Sequence, residues 1–419
     1  MFLRRQVRRI HRIYDEFPPR FWVLVVLTFI DSIGGALLFP FFALYVTQRF
    51  NVGMTDVGKL FAVFAVTAVL GSVLGGGLAD RLGRKGIIFF GVLASGLSSL
   101  LLGLADSFAV LFPIVIAVGI VSNAGGPARQ AMVADILPEH QRADGYGMIR
   151  VAFNLSATIG PALGGLLAAK SYLLLFVSDA GISVVVAILV HFLLAETRPR
   201  WSRTEAPESM IGTFRGYGRI ARDGAFMAFT VGCTLAALAY IQMNTTLGVY
   251  LRDVHNISLR NYGYIMSLNA IMVVLFQFST TRRVRGFPPM LMMALGTGVY
   301  AVGFTMYGIF DSYVFFLLAM VIVTIGEMII EPVSQAAVSR MAPTAMRGRY
   351  MAFFGFSWVF ASAAGPLLAG RIMDSFDPRW LWYTSGLIGL TAVAVFLLLH
   401  HQSSRREFEP AEASKAVFL

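Results

Sequence analysis

The sequence predicts an all-α membrane protein in which twelve transmembrane helices form two pseudo-symmetric six-helix bundles. Three observations support this fold class. Charged residues make up only 14% of the 419 residues, against about 25% in a typical soluble domain. The chain contains twelve long apolar segments, and its two halves share residues at one fixed spacing. Because a surface with so few charges cannot face water, a soluble enzyme and a disordered chain are both excluded.

The apolar segments have the length that a membrane-spanning helix requires, which is about 20 residues. Continuous apolar runs such as Leu97–Leu104 and Ile182–Leu194 favour helices over the alternating strands of a membrane β-barrel. The predicted spans are approximately residues 21–46, 57–79, 86–105, 108–131, 144–169, 172–194, 225–250, 262–280, 287–310, 313–337, 349–370 and 379–401.

The charged segments predict the domain organisation and the orientation of the chain. We expect a basic amphipathic segment (1–20), an N-terminal bundle (21–195), a cytoplasmic linker (196–224), a C-terminal bundle (225–402) and a cytoplasmic tail (403–419). With both termini inside, the cytoplasmic segments hold 26 Lys and Arg and the outer loops hold 7. Such an asymmetry marks the cytoplasmic side, in a plasma membrane that we expect to be a bacterial inner membrane. The net charge of +11 therefore reflects topology and does not indicate a nucleic acid partner.

The two halves of the chain match without gaps at an offset of 205 residues. This offset aligns Gln130 with Gln335, Pro138 with Pro343, Gly160-Pro161 with Gly365-Pro366, Tyr45 with Tyr250, Asn51 with Asn256, and Gly58 with Gly263. Parallel six-span repeats are a transporter architecture, in which the substrate binds between the halves near the midplane. Since the sequence lacks an ATP-binding G-x-x-x-x-G-K-[ST] loop, facilitated diffusion or coupling to an ion gradient is expected.

Two motifs resemble those of a known transporter family. The loop after span two reads Gly-Gly-Leu-Ala-Asp-Arg-Leu-Gly-Arg-Lys over residues 76–85, and span five contains Gly-Pro-Ala-Leu-Gly-Gly over residues 160–165. The first resembles the G-x-L-A-D-R-x-G-R-K signature of the major facilitator superfamily. The second resembles the G-P-x-x-G-G motif of its drug:proton antiporters. Together they imply the major facilitator fold.

The resemblance also implies roles for the motif residues. The loop between spans two and three is expected to form a cytoplasmic gate, with Asp80 paired to Arg347 or Arg349 and Arg84 paired to Asp135. The expected gate residues are Gly77, Asp80, Arg81, Gly83, Arg84, Asp135, Arg347 and Arg349. The motif in span five, represented by Gly160, Pro161, Gly164 and Gly165, either shapes the contact between the halves or serves close helix packing alone.

Acidic side chains inside the predicted spans are candidates for proton coupling, because an ionisable group at membrane depth is costly. Glu327 and Glu331 lie one turn apart in span ten, and Asp31 lies near mid-depth in span one. The alternatives are structural pairing of Glu327 or Asp31 with Arg150, and solvation of Glu331 at a helix end. Asp179, nearer the outside in span six, is explained equally well by an external vestibule.

Polar side chains within the spans indicate a substrate cavity or, alternatively, hydrogen bonds between helices. The candidates are Arg150, Asn154, Gln242, Asn244 and Asn269. Arg150 is the only arginine in the middle of a predicted span, which disfavours an anionic substrate. No cofactor or metal site is expected, and the single cysteine, Cys233, excludes an internal disulfide.

These features together predict a proton-coupled transporter that exports lipophilic or cationic drug-like compounds by alternating access and functions as a monomer. Two alternatives stay open. One is a proton-coupled or uniport carrier of a small metabolite such as a sugar or an amino acid. The other is a membrane receptor or scaffold that binds without transporting. An intramembrane enzyme is disfavoured, because the spans contain neither a histidine-rich cluster nor a serine–histidine dyad.

Overall fold

The computed structural model describes residues 16–197, 218–343 and 346–408, and these ranges are almost entirely helical. Most of the basic segment (1–20), the linker (196–224) and the tail (403–419) lies outside the described residues. The helices are α1 (Pro19–Phe50), α2 (Met54–Leu82), α3 (Arg84–Gly103), α4 (Phe108–Asn123), α5 (Gly125–Ile136), α6 (Glu139–Ala168), α7 (Tyr172–Leu193), α8 (Gly224–Thr245), α9 (Leu247–His255), α10 (Leu259–Val284), α11 (Pro289–Ile309), α12 (Tyr313–Met341), α13 (Arg347–Ser375) and α14 (Trp380–Phe408).

The described residues contain twelve helical segments that are long and apolar enough to cross a membrane, which confirms the predicted number. The fourth segment, Phe108–Ile136, consists of two helices, α4 and α5, that meet at Ala124. The break coincides with Gly125, Gly126 and Pro127. Glycine lowers helix propensity, and proline lacks the N–H that continues the hydrogen-bond ladder.

The chain divides into two compact units. One is built from described residues of Met1–Phe50, Val63–Thr204 and Ser258–Ala270, and the other from those of Asn51–Ala62, Glu205–Ile257 and Ile271–Leu419. Each unit has its own apolar core, the first around Phe21 and Leu24 of α1 and the second around Phe229 and Phe396. The boundaries of the two predicted six-helix bundles stay a prediction.

The sequence repeat has a counterpart in local geometry within each unit. The Tyr45 hydroxyl donates a hydrogen bond to the Leu102 carbonyl over 2.8 Å, and the Tyr250 hydroxyl donates one to the Tyr307 carbonyl over 2.8 Å. Both members of the second pair lie 205 residues after those of the first. The aligned residues Asn51 and Asn256 also share a left-handed backbone, with φ angles of 52° and 54°. Asparagine tolerates this conformation better than most residues and often ends a helix.

His255, the last residue of α9, predicts a pH dependence of stability. Its Nε2 lies 3.1 Å from the Tyr250 hydroxyl, and its Nδ1 lies 3.6 Å from Asp311 Oδ1. Burial lowers the pKa of His255 below its ordinary value of 6.5, against the opposing effect of Asp311. As the pH falls, the unfolded chain therefore binds a proton before the folded chain does, and stability decreases below about pH 6.5.

We expect the melting temperature of the wild-type protein in detergent to fall between pH 7.5 and pH 5.5, and the fall to be smaller in His255→Gln. Thermal unfolding at several pH values measures this difference. An identical pH dependence in both proteins would show that His255 does not contribute to it.

Candidate transport site

An aromatic and acidic cavity lies within the second unit. Its volume is about 300 Å³, and it is bounded by α8, α11, α12 and α13. The wall includes the side chains of Tyr240, Tyr300, Glu331, Phe354 and Trp358. The remaining lining residues are small or of mixed polarity, namely Cys233, Ala236, Ala237, Ile330, Ser334, Gln335, Met351, Gly355 and Ser357. The cavity thus offers large apolar rings beside a carboxyl group.

Glu327 is connected to this cavity through Tyr240. The Tyr240 hydroxyl donates a hydrogen bond to Glu327 Oε1 over 3.0 Å. The Tyr240 ring stacks on Tyr300 at a centroid distance of 5.8 Å and contacts Trp358 at 5.6 Å. Glu331 lies one helical turn beyond Glu327 and lines the cavity directly. The hydrogen bond therefore links the carboxyl group of Glu327 to a ring that forms the cavity wall.

The aromatic part of this site was not predicted from the sequence. Tyr240, Tyr300 and Trp358 come from three different helices, and the protein has 14 tyrosines and 5 tryptophans. One available signal was the spacing of Tyr240 and Asn244, which places two polar side chains on one face of an apolar helix. In the structure, the side chains of Tyr240 and Asn244 also lie within hydrogen-bonding reach of each other.

The other predicted cavity residues do not gather around this cavity. The Gln242 amide is buried and bonds within α8, donating to the Leu238 carbonyl over 3.0 Å and accepting from the Thr246 hydroxyl. Asn269 is buried in α10. Arg150 is exposed and Asn154 half-buried on α6, in the first unit. Their roles in substrate binding stay predictions.

Asp31 forms an ion pair with Arg129 rather than with Arg150, the partner considered from the sequence. The contact joins Asp31 Oδ2 of α1 to Arg129 Nη2 of α5, and both side chains are largely buried. Arg129 lies within the predicted fourth span (108–131), and the structure places it on α5, in the candidate spanning segment Phe108–Ile136.

The pair predicts an unequal effect of single and double substitutions. Arg129→Gln leaves the Asp31 carboxyl buried without its cation, and breaking a buried ion pair costs about 3–5 kcal/mol. We expect a large loss in the free energy of unfolding, measured by denaturation in mixed micelles. The double variant Asp31→Asn, Arg129→Gln should recover much of that loss, because no charge remains. Equal losses in the single and double variants would contradict this interpretation.

The loop between α2 and α3 is held by two carboxylates within the first unit. Arg84 Nε lies 3.2 Å from Asp135 Oδ2, which is the contact expected from the resemblance. Glu196, three residues after the end of α7, accepts hydrogen bonds from the backbone N–H groups of Arg84 and Lys85 over 2.9 and 3.2 Å. Gly83 has a φ of 103°, a conformation that glycine adopts without a steric cost.

The other half of the predicted gate is less defined. Arg349 is half-buried near the start of α13. The structure does not describe the surroundings of four predicted gate residues, namely Gly77, Asp80, Arg81 and Arg347. The pairing of Asp80 with either arginine stays a prediction.

The glycines of the span-five motif lie at close helix contacts within the first unit. A Cβ at Gly160 would meet Ala36 of α1, and one at Gly164 would lie 2.5 Å from the Leu37 carbonyl. A Cβ at Gly165 would lie 3.1 Å from the Cα of Gly263 in α10. Gly58 of the second unit, which aligns with Gly263, also lies at a close contact, because a Cβ at Gly58 would lie 2.5 Å from the Cα of Leu367. Pro161 is accommodated inside α6.

Comparison with known proteins identifies the family. The model of the Major Facilitator Superfamily matches residues 24–358 and 289–419. A Na(+), Li(+), K(+)/H(+) antiporter of Planococcus maritimus is 25% identical over 397 residues, covering 88% of this chain and 93% of that protein. The quinolone resistance protein NorA of Staphylococcus aureus is 24% identical over 396 residues, covering 92% and 98% of the two chains.

Solved structures agree on the fold. The crystal structure of the nucleoside transporter NupG superposes with a TM-score of 0.78 at 13% identity, covering 91% of this chain and 99% of that one. A bacterial homologue of the lysosomal transporter Spinster, in an inward-facing conformation, superposes with a TM-score of 0.74 at 15% identity, covering 91% and 96%. The chain therefore belongs to the Major Facilitator Superfamily, and it is a multi-pass membrane transporter of small molecules and not an enzyme.

Proposed function

We propose that this transporter exports lipophilic cations in exchange for protons. The observation that supports it best is the cavity of the second unit, whose wall contains Tyr240, Tyr300, Trp358 and Glu331. Glu327 is connected to this wall by the hydrogen bond from Tyr240. Aromatic faces attract organic cations with about 0.5–2 kcal/mol each. A carboxylate supplies the opposite charge. The similarity to a drug-resistance protein and to a cation/proton antiporter points in the same direction.

The proposed cycle uses competition between substrate and proton for one acidic site. A cation that enters from the cytoplasm binds against Tyr240 and Trp358, and it favours the charged form of Glu327. The proton leaves Glu327 as the cation binds. When a proton from the other side returns to Glu327, the carboxyl group becomes neutral and the cation is released. Because the Tyr240 hydroxyl bonds to Glu327, each protonation change also alters the cavity wall.

Transport in proteoliposomes tests this function. With a pH gradient imposed, we expect movement of a fluorescent lipophilic cation such as ethidium against its own concentration gradient. Radiolabelled sugars and amino acids should not be moved. Transport of a metabolite alone would replace the proposal with a metabolite carrier. Binding without counterflow would indicate a receptor or scaffold.

Alkali cations are a second candidate substrate, favoured by the similarity to the Planococcus antiporter. The same vesicles, loaded with sodium or potassium chloride, distinguish it. A proton flux that requires the alkali cation and does not change when ethidium is added would support this second function. The aromatic lining of the cavity favours the organic cation, because small inorganic cations prefer oxygen ligands.

Trp358 gives a specific test of the aromatic cavity. Trp358→Leu removes the indole face and keeps an apolar side chain, so we expect the apparent affinity for ethidium to fall about tenfold, as loss of one strong cation–π contact predicts. The matched control is Trp380→Leu, since Trp380 is exposed at the start of α14 and does not line the cavity. Equal affinities in wild type and Trp358→Leu would place the substrate elsewhere.

A further inference from the structure

Asp179 is a buried acidic residue that the proposed cycle does not use. It lies on α7, and only 5% of its surface is exposed, so it does not face an external vestibule as the sequence allowed. The Ser99 hydroxyl of α3 donates a hydrogen bond to Asp179 Oδ2. On the other side, Gly34 of α1 leaves the space that the carboxyl group occupies, since a Cβ at position 34 would overlap Asp179 Oδ1.

The charges around Asp179 give it no counterion among the described residues. The charged group that acts on it is another acid, Asp31 of α1. Asp31 is already paired with Arg129 of α5. The neighbouring helix α3 presents the neutral Ser99, and no ion pair reaches Asp179 from α6 within the described ranges. An ionised Asp179 would therefore add a net negative charge to the buried cluster.

Physical chemistry favours the neutral form of this carboxyl group. A buried carboxylate is stable when a cation or several hydrogen-bond donors surround it, and otherwise it takes up a proton. Asp179 has one hydroxyl donor and a nearby negative charge. With one proton on Asp179, the cluster of Asp31, Arg129 and Asp179 becomes neutral.

The arrangement is specific to the first half of the repeat. At the offset of 205 residues, Asp31, Ser99, Arg129 and Asp179 align with Ala236, Phe304, Ser334 and Thr384. Glu327 in turn aligns with Ser122. The two acids, Asp179 on α7 and Glu327 on α12, therefore lie on helices that do not correspond in the repeat.

We propose that Asp179 is a second proton-binding site, separate from Glu327, with Ser99 as its hydrogen-bond partner. The reaction is addition of one proton to a carboxylate oxygen, and the product is a neutral carboxylic acid. Binding of this proton does not depend on the transported substrate. Its use in transport rests on the proposed proton exchange.

Infrared spectroscopy of the purified full-length protein tests the proposal directly. At neutral pH, we expect a band from a protonated carboxyl group that shifts in deuterium oxide. Asp179→Asn should remove the component of this band that comes from Asp179, whereas Glu327→Gln should leave that component in place. Ser99→Ala should keep the band and move it to higher frequency, because a hydrogen bond to the carboxyl group is lost.

The outcomes separate the proton site from the transport function. A band that is unchanged in Asp179→Asn, or the absence of any protonated carboxyl band in wild type, would overturn the proposal. If Asp179→Asn does not fold, the frequency shift in Ser99→Ala decides, and an unshifted band would overturn it. If the band behaves as expected but no substrate moves with a pH gradient, the proton site stands and the proposed antiport fails.

Discussion

Glu327→Gln is expected to abolish substrate export driven by a pH gradient. Glutamine keeps the size of the side chain and can still accept a hydrogen bond from the Tyr240 hydroxyl, but it cannot take up or release a proton. Proton coupling is therefore lost while folding and membrane insertion are retained. The measurement is ethidium transport into proteoliposomes, and we expect at least a tenfold decrease in the initial rate under the gradient.

Two matched variants make this result specific. Asp253→Asn also removes one carboxylate, but Asp253 is an exposed residue of α9 whose ion pair is with the adjacent Arg252, so transport should be unchanged. Tyr240→Phe keeps the ring and removes the hydroxyl, and it should shift the pH profile of transport without abolishing coupling. Undiminished gradient-driven transport by Glu327→Gln would remove Glu327 from the mechanism.

Gly58→Val is expected to have a large effect for a steric reason. A Cβ at Gly58 would lie 2.5 Å from the Cα and 2.7 Å from the backbone nitrogen of Leu367, and backbone atoms cannot move aside as a flexible side chain does. Overpacking of this kind costs about 1–3 kcal/mol. We expect a lower melting temperature in detergent and slower transport in vesicles.

The aligned residue and an open glycine serve as comparisons. Gly263→Val should act in the same direction, because a Cβ there would lie 2.8 Å from the Pro161 carbonyl oxygen. Gly181→Ala is the control, since no atom lies within 4 Å of the added methyl group. Wild-type stability and transport in Gly58→Val would show that α2 does not need this close approach to α13.

The repeat could be predicted because identical residues recur 205 positions apart in the two halves. The offset that aligns Tyr45 with Tyr250 and Asn51 with Asn256 also aligns their hydrogen bonds and their left-handed backbones. The twelve spans could also be predicted from the sequence, because the thickness of the membrane sets their length and its hydrocarbon interior requires apolar side chains. These features depend on local sequence or on direct comparison of the two halves.

Contacts between helices could not be predicted in the same way, because they depend on helix rotation and on where each helix ends. Asp31 meets Arg129 because α1 and α5 present these two side chains to each other. Tyr240 meets Glu327 because α8 and α12 present these faces to each other. An acidic residue in a span can be recognised from the sequence, because burying an ionisable group in a membrane costs free energy. An aromatic residue of the site cannot be recognised in this way, because aromatic residues that face lipid also occur in the spans.

Proton release on substrate binding tests the central claim most directly. In a weakly buffered detergent solution held near neutral pH, a pH electrode records the protons released when ethidium is added to the purified protein. The proposed competition predicts release of about one proton per bound cation by wild type and none by Glu327→Gln, with binding still measurable in the variant. Binding of ethidium to the wild-type protein without any proton release would contradict the proposed exchange.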